Sequence, residues 1–381
     1  MSFASLERRE AWVMGYVAGA ATILANGMPV ILGALAVDRH LPTSALGTFG
    51  SAGFLGQLGG VASAFFWIHR VNWRHIARSC VGGALCACAV MACATSPWLL
   101  FASSCAVGAF TGACYGLALA FWGAARNSTR AVSIGVLNQV LLASLFLYVV
   151  PAILTPRFGM LGGPALMGAL LLPIVPLGRL MPSRTPNPAP AALAAHGAPA
   201  RRTVALVGLT LMGIYYVGIF ALWSFLDRIG AAAGLSADSI GIALSISMLV
   251  GALALVFTGI LGERWGLLGP LVISFALYAV FFALLLRPQT TALYTVALTI
   301  FNFAWNVGLP YQISITARGD PSGRLIVLMP AFQAAGAACG PYLAGELAGG
   351  GQFTAAYWML GASVITSSVG YGALAHRRSH P

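Results

Sequence analysis

Three residues late in the chain, Asn302, Trp305 and Asn306, stand at i, i+3 and i+4 inside an apolar run. On a helix that spacing places them on one face. Two amides and an indole on one stripe can hydrogen-bond and stack, which is chemistry for holding a small organic molecule. Other polar or phenolic residues sit near the middle of similar runs: Asn26, Gln57, Tyr115, Asn138, Gln139, Tyr215, Tyr216 and Gln333. Adjacent Tyr215 and Tyr216 cannot both face one direction fully. Such groups are costly in apolar surroundings unless they are used or paired. Hydrogen bonding between helices, worth about 1 kcal/mol, is the alternative use of these amides.

Charged groups are missing from the same depth. The acids at run ends are Asp38, Asp227 and Glu346. Asp38 and Asp227 each precede an arginine, which suits a rim salt bridge. Glu346 ends a run of small residues and is the first candidate for a proton site, with Asp38 and Asp227 behind it. The six His lie in loops and tails, so no catalytic set is expected and the chain does not read as an enzyme. The seven Cys all lie within apolar runs, where they read as small, soft packing residues. No disulfide framework, metal site or cofactor is expected. With no mid-depth cation or carboxylate, the solute should be neutral, zwitterionic or weakly polar.

The elements that carry these residues are long. Of 381 residues, 20 are basic and 8 acidic, and 59% are hydrophobic. The charges fall in gaps between twelve apolar runs at about 11–37, 44–68, 77–95, 98–123, 131–154, 160–180, 204–226, 239–261, 267–286, 290–316, 325–347 and 353–375. Each is long enough to cross about 30 Å of hydrocarbon as a helix. Strands of a barrel would be shorter and alternating. The partner of most of the surface is therefore the lipid bilayer. All 20 basic residues are arginine, and with a cytoplasmic N-terminus sixteen fall inside and four outside. That bias predicts both termini in the cytoplasm. It also accounts for the net charge of +12 without nucleic acid, because the arginines are scattered over separate loops. Absence of Lys beside abundant Arg, Ala and Gly points to a bacterial inner membrane. Trp122 and Trp223 lie near run ends, where interfacial anchoring is expected.

The longest polar interruption, 181–203, is rich in Pro and Ala and divides the runs six and six. The predicted organisation is residues 1–180, a cytoplasmic linker 181–203, and residues 204–381. Landmarks recur in the same order in both halves. Asp38-Arg39 matches Asp227-Arg228, and Leu46-Gly47 matches Ile240-Gly241. Ala125-Arg126 matches Ala317-Arg318, and Arg130 with Gln139 matches Arg324 with Gln333. The separations are 189, 194, 192 and 194 residues, which indicates an internal duplication. Repeats of this kind build secondary transporters.

Here the chain resembles the major facilitator superfamily over almost its whole length. The loop Gly259-Ile260-Leu261-Gly262-Glu263-Arg264-Trp265-Gly266 is similar to that family's G-x-x-x-[D/E]-R-x-G gating loop. The equivalent first-half loop, Trp67 to Arg74, lacks the glycines and the acid. The resemblance implies an all-α membrane protein of twelve transmembrane helices in two pseudo-symmetric six-helix bundles. It implies a monomeric secondary transporter of a small organic solute, working by alternating access, with protons as a candidate coupling ion. It also implies that runs 1, 4, 7 and 10 line the cavity, and that Gly259, Glu263, Arg264 and Gly266 form a gate latch. Two alternatives stay open: a copper-type importer of the same superfamily, and a uniporter without proton coupling. Gly108, Gly112 and Gly116 recur at fours, a spacing that lets helices pack closely.

Overall fold

The computed structural model describes residues 3–125, 128–183, 199–262, 264–287, 289–320, 325–348 and 353–376. Among these the regular structure is helical, with no strands. The helices coincide with the twelve apolar runs. The chain divides into two compact units, Met1–Ala189 and Pro190–Pro381. Most of the expected linker, residues 184–198, lies outside the described residues.

In the first unit, run 1 is broken into α1 (Phe3–Ala21), α2 (Ile23–Asn26) and α3 (Met28–Asp38). Both breaks have local causes. The Thr22 hydroxyl donates to the carbonyls of Ala18 and Gly19 at 3.0 and 3.1 Å. Such back-bonding bends helices. Gly27 then lies against Phe146, where a Cβ would be 2.5 Å from the ring. Pro29 occupies the first turn of α3, where its missing N–H leaves nothing unsatisfied.

Runs 2 to 5 form α4 (Thr43–Trp67), α5 (Trp73–Cys93), α6 (Pro97–Ala124) and α7 (Ser128–Val149). At Pro151, α7 loosens into a π-helical turn over Val150–Leu154 and continues as α8 (Thr155–Phe158). Proline lacks the N–H that an α-helical bond needs there. The helical stretch Arg130–Leu180 has 51 residues. At 1.5 Å per residue it would be about 77 Å long, more than twice the hydrocarbon thickness, so it must turn back. The turn falls at Gly159, whose φ of 56° favours glycine. The chain then returns through α9 (Gly162–Leu171) and α10 (Ile174–Leu177).

The second unit holds α11 (Pro199–Trp223), α12 (Leu226–Ala232), α13 (Ala237–Leu261), α14 (Leu268–Leu285), α15 (Thr291–Arg318), α16 (Met329–Leu347) and α17 (Thr354–His376). Ser236 and Thr290 cap α13 and α15 by accepting from the N–H groups of Ser239 and Leu293. Pro310 and Pro341 lie inside continuous helices rather than at breaks.

Equivalent helices pair in the two units: α1 with α7 and α11 with α16, α4 with α6 and α13 with α15. The registers agree as well. A Cβ on Gly19 would meet the carbonyl of Asn138, and one on Gly213 would meet that of Phe332. Both members of the second pair lie 194 residues beyond those of the first. Gly108 packs on the Gly53 backbone, and 194 residues on, Asn302 bonds Ser247. Gly112 packs on the Gln57 backbone, and 194 residues on, Asn306 lies beside Gly251. The α4–α6 seam is built from bare backbone. Cβ atoms on Gly56, Gly60, Gly108 or Gly112 would each collide with a main-chain carbonyl of the facing helix. The glycine spacing at 108, 112 and 116 thus serves close packing.

Candidate functional site

The stripe Asn302, Trp305, Asn306 is divided between two neighbours of α15. At 3.6 residues per turn, Trp305 and Asn306 are about 100° apart, and each follows its own contacts. Asn302 is fully buried and its side-chain NH2 donates to Ser247 Oγ of α13 at 3.0 Å. Ser247 itself donates to the carbonyl of Leu244 at 2.8 Å, so its oxygen is the acceptor and the orientation of the Asn302 amide is determined. Asn302 Oδ1 is buried without a partner among the described residues. Asn306 Nδ2 donates to the Asn302 carbonyl at 2.8 Å and lies beside Gly251. Asn302 therefore bonds α15 to α13, whereas the Asn306 bond stays within α15.

Trp305 instead meets α11. Its ring stands 6.0 Å from Tyr216 and 5.7 Å from Phe220, nearly perpendicular to both. Tyr216 and Phe220, one helical turn apart, stack at 5.7 Å. Edge-to-face and offset arrangements of this kind are the favoured ones for aromatic rings. The Trp305 indole nitrogen is buried without a hydrogen-bond partner among the described residues. Tyr215 meets the Tyr216 ring edge to face at 6.2 Å and carries the contacts on towards α14. It is fully buried, and its hydroxyl is 2.6 Å from that of Tyr278 on α14. The two adjacent tyrosines therefore have separate duties, Tyr216 in the aromatic corner and Tyr215 in a buried pair. Phe220 and Tyr278 escaped sequence reasoning, which looked for polar groups. The signal for Phe220 was its place one turn beyond Tyr216.

In the first unit, Tyr115 of α6 is hydrogen-bonded to Gln139 of α7. Tyr115 also meets Trp122 edge to face at 6.0 Å. Asn138, next to Gln139, donates to the Ile134 carbonyl at 2.9 Å and packs on Gly15 and Gly19 of α1. Asn26 sits in the short helix α2, and it, Gln57 and Gln333 are half-buried. Trp122 and Trp223 are enclosed at 6% and 1% exposure, which corrects their reading as interfacial anchors. Trp122 covers Gly135 of α7.

The loop Gly259 to Gly266 shows why its glycines stand where they do. Gly262 and Gly266 have φ of 52° and 65°, conformations that L side chains rarely adopt. Gly259 is still helical, and Arg264 is exposed. Glu263 lies outside the described residues. Tyr311 of α15 donates to the Gly262 carbonyl at 2.7 Å, tying the loop to its unit.

The three rim acids differ sharply. Glu346 is exposed near the end of α16. Asp38 is exposed and lies 3.6 Å from Arg39, whose other nitrogen donates to the Ala92 carbonyl at 3.3 Å. Asp227 on α12 is buried, with no salt bridge among the described residues. Beside it Tyr294 donates to the Leu226 carbonyl. A fourth acid, Asp320, had drawn no notice in the sequence. It is buried and accepts from the N–H groups of Leu325 and Ile326 at 2.6 and 2.9 Å, so it ties the end of α15 to the residues just before α16. Among the described residues no three His, Cys, Asp or Glu converge. Sulfur atoms meet in pairs, one of them Cys88 with Met167 at 3.9 Å.

The sequence matches no protein-family model and no curated protein. Solved structures do match. The nucleoside transporter NupG superposes with a TM-score of 0.72 at 13% identity, over 98% of this chain and 99% of that one. The POT family transporter PepTSo gives 0.72 at 10% identity, over 97% and 98%. A D-xylose-proton symporter gives 0.69 at 15%, over 97% of each. Likeness at this identity speaks to architecture. The chain has the major facilitator fold, an all-α membrane architecture of two six-helix bundles.

Proposed function

We propose that this protein is a secondary active transporter of a small, uncharged organic solute, working by alternating access of its two six-helix units. The observation that supports this most is the aromatic corner of Tyr216, Phe220 and Trp305, free of charged side chains and holding an unpaired indole N–H. An apolar surface with one directed donor is the kind of lining that small-molecule sites use. In the first unit the hydrogen-bonded pair Tyr115 and Gln139 supplies polar groups, with Asn26 and Gln57. Asn302 supports the corner from behind by bonding α15 to α13, and half-buried Asn306 remains a candidate polar group beside it. Gln333 remains a candidate through its repeat position, 194 residues beyond Gln139. The transporters that share the fold favour this reading, and the arginine bias favours a bacterial inner membrane with cytoplasmic termini. In the loop after α13, Gly259, Glu263, Arg264 and Gly266 are the proposed gate latch.

A thermal-shift screen of neutral, anionic and cationic small molecules on the purified full-length protein tests the reading. Neutral solutes should raise the unfolding midpoint, and the best of them should exchange across proteoliposomes in counterflow. If only charged solutes stabilise the protein, the uncharged class is wrong. If stabilising solutes never exchange, transport is wrong.

Coupling to protons is proposed at Asp227. Glu346 and Asp38 are exposed, whereas Asp227 is enclosed, with no salt bridge among the described residues and only the nearby charge of Arg228 to offset its burial. A buried carboxylate without a direct ion pair is costly when ionised, and this cost links its proton to its surroundings. Asp227→Asn should keep counterflow while losing accumulation driven by an imposed pH gradient. Accumulation equal to wild type would place coupling elsewhere or remove it.

A further inference from the structure

Along one seam of the first unit, α5 packs antiparallel against α9, α10 and the short turn Gly178–Leu180 that follows them. Contacts at two levels fix the register. A Cβ on Gly168 would meet the Leu85 side chain at 3.1 Å. Nearer the start of α5, Arg74 Nε donates to the Met181 carbonyl at 3.0 Å, and the Trp73 N–H donates to that of Ser183 at 3.1 Å. Between these pins Arg78 stands one helical turn from Arg74, a spacing that puts both on one face. Arg179 comes two residues before Met181 on the opposite side of the seam. Three guanidinium groups are thus gathered at one end of the unit. Arg78 and Arg179 are exposed and have no ion pair among the described residues. Arg74 is half-buried and bonds through Nε alone, so its Nη donors stay unused on a guanidinium that is held in place. Of the two acidic side chains described in this unit, Asp38 lies beside Arg39 and Glu10 is already engaged. Further along, the same seam is apolar and open. Leu172 and Val175 are exposed, and nothing lies within 4 Å of where a Cβ on Gly82 would be.

We propose that Arg74, Arg78 and Arg179 bind the headgroup of an anionic phospholipid, with an acyl chain lying along Gly82, Leu172 and Val175. Arginine stays charged, and its planar fork matches phosphate oxygens two at a time. An exposed arginine inside a membrane helix is costly unless its long stem carries the charge to the headgroup layer. Arg78, more than a turn into α5, is in that position. Three cations with no free carboxylate beside them favour a headgroup of net negative charge. A zwitterionic headgroup would bring an ammonium group with nothing here to receive it. Basic pockets between transmembrane helices are the kind of place where anionic headgroups bind.

The test adds phosphatidylglycerol or phosphatidylcholine to the delipidated full-length protein in detergent and reads bound lipid by native mass spectrometry. Wild type should hold phosphatidylglycerol at least about tenfold more tightly than phosphatidylcholine. The double variant Arg78→Gln, Arg179→Gln should bring the two lipids level. Arg157→Gln, at an exposed position near the other end of the unit, should leave the preference intact. Each single variant should show a partial loss, which keeps the test in force should the double variant fold poorly. Equal binding of both lipids by wild type, or an unchanged preference in the variants, would overturn the proposal. Thermal stabilisation by inorganic phosphate equal to that by phosphatidylglycerol would make this a site for a free anion and overturn it too.

Discussion

Gly56→Leu is expected to leave little folded protein in the membrane, while Gly59→Leu, one turn away on the same helix, leaves the yield unchanged. The contrast follows from what each new side chain would meet. A Cβ at Gly56 enters the main chain of α6 at Cys105 and Ala109, and no rotamer can relieve a backbone clash. Around Gly59 nothing lies within 4 Å. Helices in lipid gain no hydrophobic drive toward each other, so close approach at small residues is what holds them together. Prying α4 from α6 removes those contacts along the whole seam. Overpacking a core commonly costs about 1–3 kcal/mol and sometimes more. A backbone collision belongs at the upper end, against a total stability of about 5–15 kcal/mol. Size-exclusion profiles of the detergent-solubilised variants measure the outcome. Equal monodisperse yields would show that the seam tolerates separation.

Trp305→Ala is expected to reduce solute exchange at least about tenfold, or roughly 1.4 kcal/mol of lost recognition, with the protein still folded. The substitution removes the ring that Tyr216 and Phe220 pack against, and with it the unpaired indole donor. Trp305→Phe should restore the packing and leave the hydrogen bond missing, giving an intermediate loss. Tyr215→Phe is the structural control. It strips one hydroxyl from the buried Tyr215–Tyr278 pair, and an orphaned buried hydroxyl costs about 1–3 kcal/mol. Its effect should appear in the thermal midpoint and not in exchange. Counterflow and thermal unfolding, measured side by side, separate the two. Exchange by Trp305→Ala equal to wild type would remove the corner from the solute's path.

The twelve crossings were legible because lipid demands long apolar runs whatever the fold, and arginine marks the gaps. The duplication was legible from landmarks spaced by about 194 residues, and the helix pairs repeat at that spacing. The breaks in run 1 were harder to see. They depend on Thr22 bonding back to its own helix and on Phe146 pressing on Gly27, contacts with no pattern in the sequence. Side-chain direction was the main thing hidden. In helices that are apolar all round, a 3.6-residue period cannot say which neighbour a residue meets. Asn302 and Trp305 therefore read as one stripe although they serve α13 and α11. Phe220 and Tyr278 looked like ordinary lipid-facing or packing residues. The rim acids could be found by type, but only their enclosure separates Asp227 from Glu346.

The matched seams of the two units also differ in how much change they can absorb. In the first unit, α4 and α6 meet backbone to backbone at Gly56, Gly60, Gly108 and Gly112, so an atom added there is refused. In the second, the same places hold Asn302, Asn306, Ser247 and Gly251, and a Cβ on Gly251 would first touch side-chain atoms at 3.0 and 3.2 Å. The Asn302 Cβ is fixed to its backbone, but the Asn306 amide can turn aside where a carbonyl cannot. A full substitution scan should therefore look lopsided: sharp intolerance at Gly56, Gly60, Gly108 and Gly112 in the first unit, and in the second a more permissive Asn306, half-buried at the place equivalent to Gly112.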